Sequence, residues 1–313
     1  MIKETRDKCI NCNLCNRNCY FLNKHNINLK DFTYRPDLRY HCFLCNKCQN
    51  VCPKDLSGKE ISMEMRREDI RGALDEKKIR DPYIYKNDGF SKSEDLIYFG
   101  CSFPGYYPKT SQKLIEIGKK LGVDYDIDCC KFTINLLGED QDLTSMDDYF
   151  YEKGVKRLIC VCPNCYHFLK AKLKKTKVIS IFKFLYDNNI GKKLDKKIEV
   201  YFPCSDRYNR EIFGDIEKFL ENGFIDQYKD INCCGLGGAA LSNEKDIKGY
   251  IKEKMENAQE DSIYTYCASC SYQFSSYGLK NIRHILSEIL GVEEKVCMDY
   301  GKNLVKFHEL ARN

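Results

Sequence analysis

Two cysteine-rich stretches decide the fold of the first part of the chain: CINCNLCNRNC at residues 9–19 and CFLCNKCQNVCP at residues 42–53. Both have the spacing C-x2-C-x2-C-x3-C. With this spacing, three thiolates surround one 4Fe–4S cubane while the fourth reaches a second cubane. The two stretches therefore predict a domain built around two clusters, which would transfer electrons from one to the other.

Each predicted cubane takes ligands from both stretches. The spacing assigns the first cubane to Cys9, Cys12, Cys15 and Cys52, and the second to Cys42, Cys45, Cys48 and Cys19. The alternative is a pair of structural zinc sites with four thiolates each. Zinc does not call for three cysteines plus a displaced fourth, so we expect iron. Tyr20 after Cys19, where proline is usual, is the one departure.

The composition favours a metal- or redox-active protein of a reducing cytoplasm. The chain has 313 residues, 20 of them cysteine, and a chain of this length builds cores without disulfides. The opening residues MIKETRDKC show no leader pattern, and no apolar run approaches the roughly 20 residues that span a bilayer. We expect a cytoplasmic protein with no membrane span of its own, a location compatible with a peripheral place in a membrane complex.

The positive charge does not indicate a nucleic-acid partner. The formal net charge is +5, but metal-bound cysteines are thiolates and offset this excess. Lysine-rich stretches at residues 170–177 and 191–197 are typical of solvated surface, and no nucleic-acid-binding motif accompanies them. We therefore expect no nucleic-acid partner.

A gap without cysteines follows the first domain. Within it, SGKEISMEMRREDIRGALDEKK begins at Ser57, and Glu60 three residues on completes a capping-box pattern. The predicted helix has a partial apolar stripe at Ile61, Met65 and Ile70. The helix is expected to end before Pro82, and residues 85–95 are typical of a linker. This places a domain boundary near residue 90.

Beyond the boundary, β-rich runs alternate with amphipathic stretches, which predicts an α/β domain. The expected strands are residues 95–99, 157–161, 198–202 and 262–266. A cysteine follows each of them: Cys101, Cys162, Cys204 and Cys267. The carboxyl ends of parallel strands are where ligands bind, and helix N-termini there offer N–H groups to anions. A thiolate-rich cluster is such an anion.

The cysteines of this second domain also repeat. Equivalent positions lie 103 to 105 residues apart: Cys101 and Cys204, Cys129 and Cys233, Cys130 and Cys234, Cys162 and Cys267, Cys165 and Cys270. The coincidence predicts two similar halves related by a pseudo-two-fold axis. We assign residues 1–90 to the helical domain, 91–195 to the first repeat and 196–313 to the second.

Each repeat supplies five cysteines, one more than a cubane needs. Neighbouring residues of a strand point to opposite faces, so both members of a Cys-Cys pair reach one cluster only from a bend. Gly235 supplies such a bend in the second repeat, whereas Lys131 stands at the matching position in the first. Cys160 and Cys297 fall outside the repeat and are expected to be small buried hydrophobes.

The repeated lone cysteine, Cys-Cys-Gly and C-x2-C resemble the CCG domain of heterodisulfide reductases. With the two-cluster module on the same chain, the layout is similar to their fused D-type subunit. It is also similar to the iron–sulfur subunits of anaerobic glycerol-3-phosphate, glycolate and lactate oxidation. The resemblance implies an α-helical ferredoxin-like domain followed by an α/β domain made of two pseudo-two-fold-related CCG repeats.

The same resemblance implies two non-cubane 4Fe–4S clusters with a substrate disulfide between them. The first would use Cys101, Cys129, Cys130, Cys162 and Cys165, and the second Cys204, Cys233, Cys234, Cys267 and Cys270. Lys131 departs from the glycine of the family, and the step from Cys101 to Cys129 is short for it. An ordinary cubane, zinc or a thiol pair is the alternative at each set.

Two functions fit this pattern. The first is disulfide reduction, or thiol oxidation, fed one electron at a time by the cubanes, with His167 as a candidate proton donor because histidine titrates near neutrality. The second is a relay of electrons between a flavin dehydrogenase and a quinone or ferredoxin. The expected partners are an electron-donating flavoprotein or ferredoxin and a small disulfide or thiol. Cluster storage or redox sensing has no supporting motif.

Overall fold

The computed structural model describes residues 1–70 and 93–312. The described residues form two compact units. The first takes its described residues from Met1–Ile79, Thr133–Gln141 and Asp230–Lys254, and the second from Arg80–Phe132, Asp142–Lys229 and Met255–Asn313. The predicted boundary near residue 90 and residues 85–92 of the predicted linker lie outside the described residues.

The elements alternate along most of the chain. The helices are α1 (Ile2–Lys8), α2 (Leu14–Arg17), α3 (Tyr20–Lys24), α4 (Leu29–Phe32), α5 (Lys47–Asn50), α6 (Gly58–Glu68), α7 (Phe103–Tyr106), α8 (Pro108–Leu121), α9 (Phe132–Leu136), α10 (Thr144–Glu152), α11 (Pro163–Lys172), α12 (Ile181–Asp187), α13 (Glu211–Ile216), α14 (Ile247–Ala258), α15 (Ala268–Ser276), α16 (Ile285–Ile289) and α17 (Tyr300–Arg312). The strands are β1 (Asp95–Tyr98), β2 (Asp124–Asp126), β3 (Arg157–Cys160), β4 (Lys177–Ser180), β5 (Ile198–Val200), β6 (Phe224–Ile225), β7 (Ile263–Thr265) and β8 (Ile282–His284). Short 3-10 helices lie at Pro36–Leu38, Glu217–Phe219 and Gly237–Ser242.

The first unit is helical, and its helices are mostly one or two turns long. Such short helices are marginal alone, so packing must hold them. Phe21 of α3 and Phe32 of α4 are almost fully buried, with ring centroids 5.1 Å apart in an edge-to-face arrangement. Ile61 and Met65 of α6 are buried as predicted.

The helix that starts at Ser57 is shorter than predicted. Ser57 Oγ accepts a hydrogen bond from the Glu60 backbone N–H at 3.2 Å, as an N-cap should. However, α6 ends at Glu68, because Asp69 adopts an extended conformation with φ −142°. Its carboxylate pairs with the guanidinium of Arg39, and its carbonyl oxygen accepts the Tyr40 hydroxyl at 3.0 Å. Ile70 therefore does not belong to the apolar face of the helix and is 37% exposed. Residues 71–78 of the predicted helix lie outside the described residues.

The second unit contains two four-stranded sheets in which every described pairing is parallel. The strand orders are β2-β1-β3-β4 and β6-β5-β7-β8. The orders are the same when β5, β6, β7 and β8 are taken as the equivalents of β1, β2, β3 and β4. The prediction of an α/β domain and of an internal repeat is confirmed by these sheets.

The four strands predicted from the sequence, β1, β3, β5 and β7, are the central strands of the two sheets. Central strands are covered on both faces, so their sequences are continuous apolar runs that pattern reading can detect. The four missed strands all lie at sheet edges. They are two to four residues long, and all except the two-residue β6 mix polar with apolar residues, as in the DYD of β2.

No helix among the described residues has both the length and the apolarity needed to cross a membrane. Even α8, fourteen residues long, is amphipathic: Leu114 and Ile117 are buried, while Lys119 and Lys120 are exposed.

Candidate iron–sulfur sites

In the first unit, Cys9, Cys12, Cys15 and Cys52 line one pocket. Burial raises the pKa of Cys15, and the nearby thiols of Cys9 and Cys52 raise it further. A group of thiols that suppress one another's ionisation is what a metal cluster would relieve, because its positive irons stabilise the thiolates. The structure thus brings together the four cysteines assigned to the first cubane.

Cys19 does not lie with the three cysteines that precede it in sequence. Burial raises the pKa of Cys19 well above its usual value, and the thiols of Cys45, Cys48 and Cys42 raise it further. It is therefore close to the second stretch, as the exchanged-ligand assignment requires. Cys48 is buried beside Cys42 and Cys45, and its Sγ accepts the Gly58 backbone N–H at 3.3 Å.

The two stretches have the same local backbone. Asn11 and Asn13 flank Cys12 with φ of 56° and 58°, and Leu44 and Asn46 flank Cys45 with φ of 56° and 60°. Such left-handed residues are uncommon except for glycine and asparagine, so four in register are not accidental. They turn the backbone on both sides of the middle cysteine. The third cysteine of each stretch then lies within a one-turn helix, α2 or α5.

The first five-cysteine set comes together in the second unit. Hydrogen bonding to Cys101 raises the pKa of Cys129 well above its usual value. At the other end of the set, the Sγ atoms of Cys165 and Cys130 are 3.1 Å apart. The thiol of Cys162 also forms a hydrogen bond with Cys165. The thiol of Cys130 also raises the pKa of Cys129. The five thiols therefore form one continuous group at the carboxyl end of the first sheet.

The bend predicted at the second Cys-Cys pair is present, and the first pair, where lysine replaces glycine, has a similar turn. In the first, the Lys131 N–H donates to Cys129 Sγ at 3.3 Å; in the second, the Gly235 N–H donates to Cys233 Sγ at 3.2 Å. Lys131 has φ 62° and Gly235 has φ 92°, so both residues have a left-handed backbone conformation. Lysine therefore adopts the conformation for which glycine is suited, at a steric cost of about 1–2 kcal/mol.

Replacing Lys131 by glycine should relieve this strain. We expect Lys131→Gly to raise the free energy of unfolding by about 1 kcal/mol, less the entropy that glycine loses on folding. Thermal denaturation under anaerobic conditions measures the change. Lys153→Gly in the second unit is the control. Lys153 follows α10 and has a right-handed helical backbone conformation with φ −76°, so this variant should not be more stable than the wild type.

The C-x2-C pairs both lie at helix N-termini. Cys162 is the N-cap of α11 and Cys267 the N-cap of α15. Cys165 and Cys270 lie in the first turn of the same helices and are buried. Unpaired N–H groups and the helix dipole favour negative charge at this position, which suits thiolates and an anionic cluster.

The second set is distributed over the two units. Cys204, Cys267 and Cys270 belong to the second unit, and Cys233 and Cys234 to the first. Within the second unit, Cys204 follows β5 and Cys267 follows β7, the two central strands of their sheet. Their placement at the carboxyl ends of these strands matches that of Cys101 and Cys162 in the first repeat.

Glycine is required beside the first set at one position. Gly100 has φ 69°, and a Cβ atom there would lie 2.8 Å from Cys165 Sγ. That distance is shorter than any ordinary contact. A side chain at position 100 would therefore clash with the thiol of Cys165.

His167, the candidate proton donor, has a buried partner that the sequence did not indicate. Its Nε2 lies 2.8 Å from Oδ1 of Asp206, which is fully buried. Asp206 Oδ2 accepts the Tyr266 hydroxyl at 2.8 Å and the Phe213 N–H at 3.0 Å. Asp206 lies two residues after Cys204, and His167 lies two residues after Cys165. The contact thus joins the two repeats, which the sequence alone did not reveal.

A second buried carboxyl group, Asp126, was also missed. It ends β2, three residues before Cys129, and is 1% exposed. Burial raises its pKa to about 7. Its Oδ1 accepts the Asp128 N–H at 2.6 Å, whereas Oδ2 is buried with no hydrogen-bond partner in the part of the chain that the structure describes. No residue pattern around Asp126 signalled this environment.

The two cysteines outside the repeat differ from each other. Cys160 is 2% exposed within β3, as expected for a small hydrophobe. Burial raises its pKa well above the usual value, and the thiols of Cys130 and Cys162 raise it further. Cys297 is only half-buried, which the expectation of burial did not anticipate.

The sequence of each repeat matches a known domain family. Residues 96–170 and residues 199–275 each match the model of the CCG cysteine-rich domain. These matches show a CCG cysteine-rich domain in each repeat, and the relatives described next are iron–sulfur proteins and a subunit of a redox enzyme.

Several known proteins are similar to this chain. An iron–sulfur protein of Methanococcus maripaludis is 23% identical over 74% of this chain and 56% of its own length. A subunit of the fumarate reductase (CoM/CoB) of Methanothermobacter marburgensis is 24% identical over 74% and 55%. The glycolate oxidase iron–sulfur subunit of Escherichia coli is 21% identical over 65% and 59%. The chain thus spans little more than half the length of these relatives. Among solved structures, Picrophilus torridus aspartate racemase matches at a TM-score of 0.33 and 11% identity, over 71% of this chain and 100% of its own, too low to bear on the fold.

Proposed function

We propose that the protein is an iron–sulfur oxidoreductase of the heterodisulfide reductase type. It reduces a disulfide, or oxidises two thiols, at two non-cubane 4Fe–4S clusters that receive electrons from two cubanes. The observation that carries this proposal is the first five-cysteine set, which forms one continuous group although a cubane needs only four ligands. The name of the Methanothermobacter relative, with CoM/CoB, supports a thiol–disulfide couple as the substrate class.

Tyr106 supports a substrate position between the two sets. Burial raises the pKa of Tyr106, and neighbouring tyrosine hydroxyls and the thiols of Cys101 and Cys267 raise it further. One side chain of the second unit is thus near a cysteine from each set. Tyr106 also stacks on Tyr272 at 4.8 Å and packs against Tyr300 at the same distance. These rings would exclude water and hold an apolar thiol chain.

The contacts between the repeats are reciprocal. Helix α15, which follows Cys267, packs against α7, which follows Cys101. In the other direction, His167 of α11 pairs with Asp206 in the segment after Cys204. This reciprocity is what two facing sites related by a pseudo-two-fold axis would require. The two contacts differ chemically, since the first involves aromatic rings and the second is a hydrogen bond between an imidazole and a carboxyl group.

The reaction consumes two electrons and two protons for each S–S bond broken and yields two thiols. The clusters, held by the cysteines described above, would supply the electrons one at a time. The chain must supply the protons. His167, oriented by Asp206, and the buried Asp126 are the groups best placed to do so, because each lies within three residues of a cysteine of the first set.

Asp126 gives the reaction a defined pH dependence. A proton donor must be protonated, and the pKa of Asp126 is about 7, so the rate of disulfide reduction should fall as the pH rises through 7. Asp126→Asn cannot donate a proton, and we expect it to lower the rate about 100-fold at acidic pH and to remove this limb of the profile. Steady-state rates across the pH range provide the measurement. A wild-type profile in the variant would exclude Asp126, and His167→Ala tests the other donor in the same way.

A lysine-rich groove in the second unit offers a docking surface for the electron donor. It is lined by five lysines and by two acidic residues: Lys170, Lys174, Lys175, Lys177, Lys183, Glu211 and Asp215. Buried Asp147 holds this loop in place, because it accepts the backbone N–H groups of Lys174, Lys175 and Thr176 at 2.6–3.0 Å. Tyr166, next to Cys165, also lines the groove. An acidic flavoprotein or ferredoxin surface would fit this charge.

Charge reversal tests the groove. We expect Lys174→Glu with Lys177→Glu to lower kcat/KM for an acidic donor at least about 10-fold at low salt, and the deficit to shrink as salt screens the charges. Lys119→Glu with Lys120→Glu, on the exposed end of α8, makes the same change in net charge elsewhere. Equal effects of the two double variants would show that only net charge matters.

The alternative is an electron relay without disulfide chemistry, which the glycolate oxidase relative favours by its name. Lys131 in place of glycine does not add to the case for a relay, because it has the same left-handed conformation as Gly235. A stopped-flow experiment separates the two functions. The chemically reduced protein, with no partner present, should convert a small disulfide to two thiols with matching oxidation of its clusters. A protein that is reoxidised only by a quinone or ferredoxin would be a relay.

A further inference from the structure

We propose that His25, His41 and Glu244 form a binding site for one divalent transition-metal ion, distinct from the cysteine sets. All three residues belong to the first unit. His25 Nε2 and His41 Nδ1 each lie 2.8 Å from Oε1 of Glu244. The three ligand atoms lie within 4.8 Å of one another. Two imidazoles and one carboxylate that converge on one point are a ligand set used for zinc and for ferrous iron.

Three separate segments supply these ligands. His25 is the C-cap of α3, the helix whose N-cap is Cys19. His41 immediately precedes Cys42, and Glu244 lies ten residues beyond Cys234, after the 3-10 helix Gly237–Ser242. A metal ion at this point would cross-link segments that each carry a cysteine of a candidate cluster.

Burial makes Glu244 unusual among the acidic residues. Its side chain is fully buried, whereas those of His25 and His41 are 23% and 21% exposed. A buried carboxylate requires positive charge beside it. Lys24 Nζ donates to Oε2 of Glu244 at 2.7 Å, so one oxygen is held by an ammonium group and the other faces the two histidines. A metal-ligating carboxylate is commonly anchored in this way through its second oxygen.

The rings are held in position by packing. Phe21 contacts both, with ring centroids 5.4 Å from His25 and 6.2 Å from His41. The two imidazoles are 5.2 Å apart and nearly perpendicular, at 87°. Only small movements are needed to place a metal about 2.0–2.1 Å from each ligand atom. The partial exposure of both histidines leaves an entry path for the ion.

The competing arrangement is a hydrogen-bonded cluster in which both imidazoles donate to Glu244 and no metal binds. The two differ in metal content and in the effect of Glu244→Gln. The glutamine side chain keeps a carbonyl oxygen that accepts hydrogen bonds, but it is a much weaker ligand for a divalent cation. This site does not depend on disulfide chemistry, so its test is independent of the proposed function.

The experiment uses the full chain, purified without oxygen and with its iron–sulfur clusters intact. The protein receives one equivalent of Zn²⁺, is desalted, and is analysed for zinc and iron. We expect one zinc per chain, with unchanged iron, and a zinc X-ray absorption spectrum showing nitrogen and oxygen neighbours at about 2.0–2.1 Å. His25→Ala and Glu244→Gln should each weaken zinc binding more than about 100-fold, beyond the range of outer-shell changes. Asp246→Asn is the matched control, because Asp246 pairs with Lys24 but contributes no ligand atom.

Three results would overturn the site. They are failure of the wild-type chain to retain zinc, a spectrum dominated by sulfur neighbours at about 2.3 Å, and equal zinc retention in His25→Ala and wild type. His41 is left unchanged in the main comparison, because it adjoins Cys42 and its loss would also disturb a candidate cluster ligand.

Discussion

Cys130→Ala should abolish disulfide reduction, with a fall in rate of more than about 100-fold. Cys130 Sγ lies 3.1 Å from Cys165 Sγ and joins the two ends of the first five-cysteine set. Its loss would leave four thiols around a cluster that needs five. We expect iron to fall by about 4 atoms per chain, because one 4Fe–4S cluster is lost. Anaerobic iron analysis and the rate of thiol formation measure the two effects.

Cys160→Ala is the matched control for this variant. Cys160 is as buried as its neighbours, and the thiols of Cys130 and Cys162 act on it, but it has no counterpart in the second repeat. Its replacement should cost only about 1 kcal/mol of stability and leave iron and rate unchanged. If Cys160→Ala loses iron while Cys130→Ala does not, the proposed ligand set is wrong.

Cys19→Ala should remove the cubane held by the second cysteine stretch rather than the one held by its own. The thiols of Cys42, Cys45 and Cys48 all act on Cys19. We expect about 4 irons to be lost and electron delivery from the donor to fall more than about 100-fold. Cys52→Ala should do the same to the other cubane, because Cys52 lies in the pocket of Cys9, Cys12 and Cys15.

Double variants make the assignment sharp, since effects within one cluster do not add. Cys19→Ala with Cys48→Ala should lose no more iron than either single variant, about 4 atoms. Cys19→Ala with Cys15→Ala should lose about 8, because two clusters are affected. The opposite pattern would show that each stretch holds its own cluster. In that pattern, the iron losses of Cys19→Ala and Cys48→Ala add, and those of Cys19→Ala and Cys15→Ala do not.

The sequence predicted which cysteines lie near one another where the pattern is local. Fixed cysteine spacings determine which thiols can reach one cluster, and the four strands predicted from apolar runs are the covered, central ones. The bend at Gly235 was also readable, because only a bend lets adjacent cysteines act together. These features depend on residues close together in sequence.

The remaining features depend on contacts between distant residues. The end of α6 is set by Arg39 and Tyr40, about 30 residues earlier, which draw Asp69 out of the helix. The burial of Glu244 and Asp206 leaves no trace in their neighbouring sequence. Lys131 departs from the glycine of the second repeat, yet its backbone adopts the same left-handed conformation, and its N–H donates to Cys129 Sγ as that of Gly235 does to Cys233 Sγ.

The most direct test of the central claim is iron content combined with electron paramagnetic resonance of the oxidised protein during addition of a thiol. With two cubanes and two five-cysteine clusters, the chain should hold about 16 irons. Addition of thiol should then produce a new paramagnetic signal that is absent in Cys130→Ala and present in Cys160→Ala. About 8 irons per chain, with spectra that thiol does not alter, would contradict the proposed disulfide chemistry.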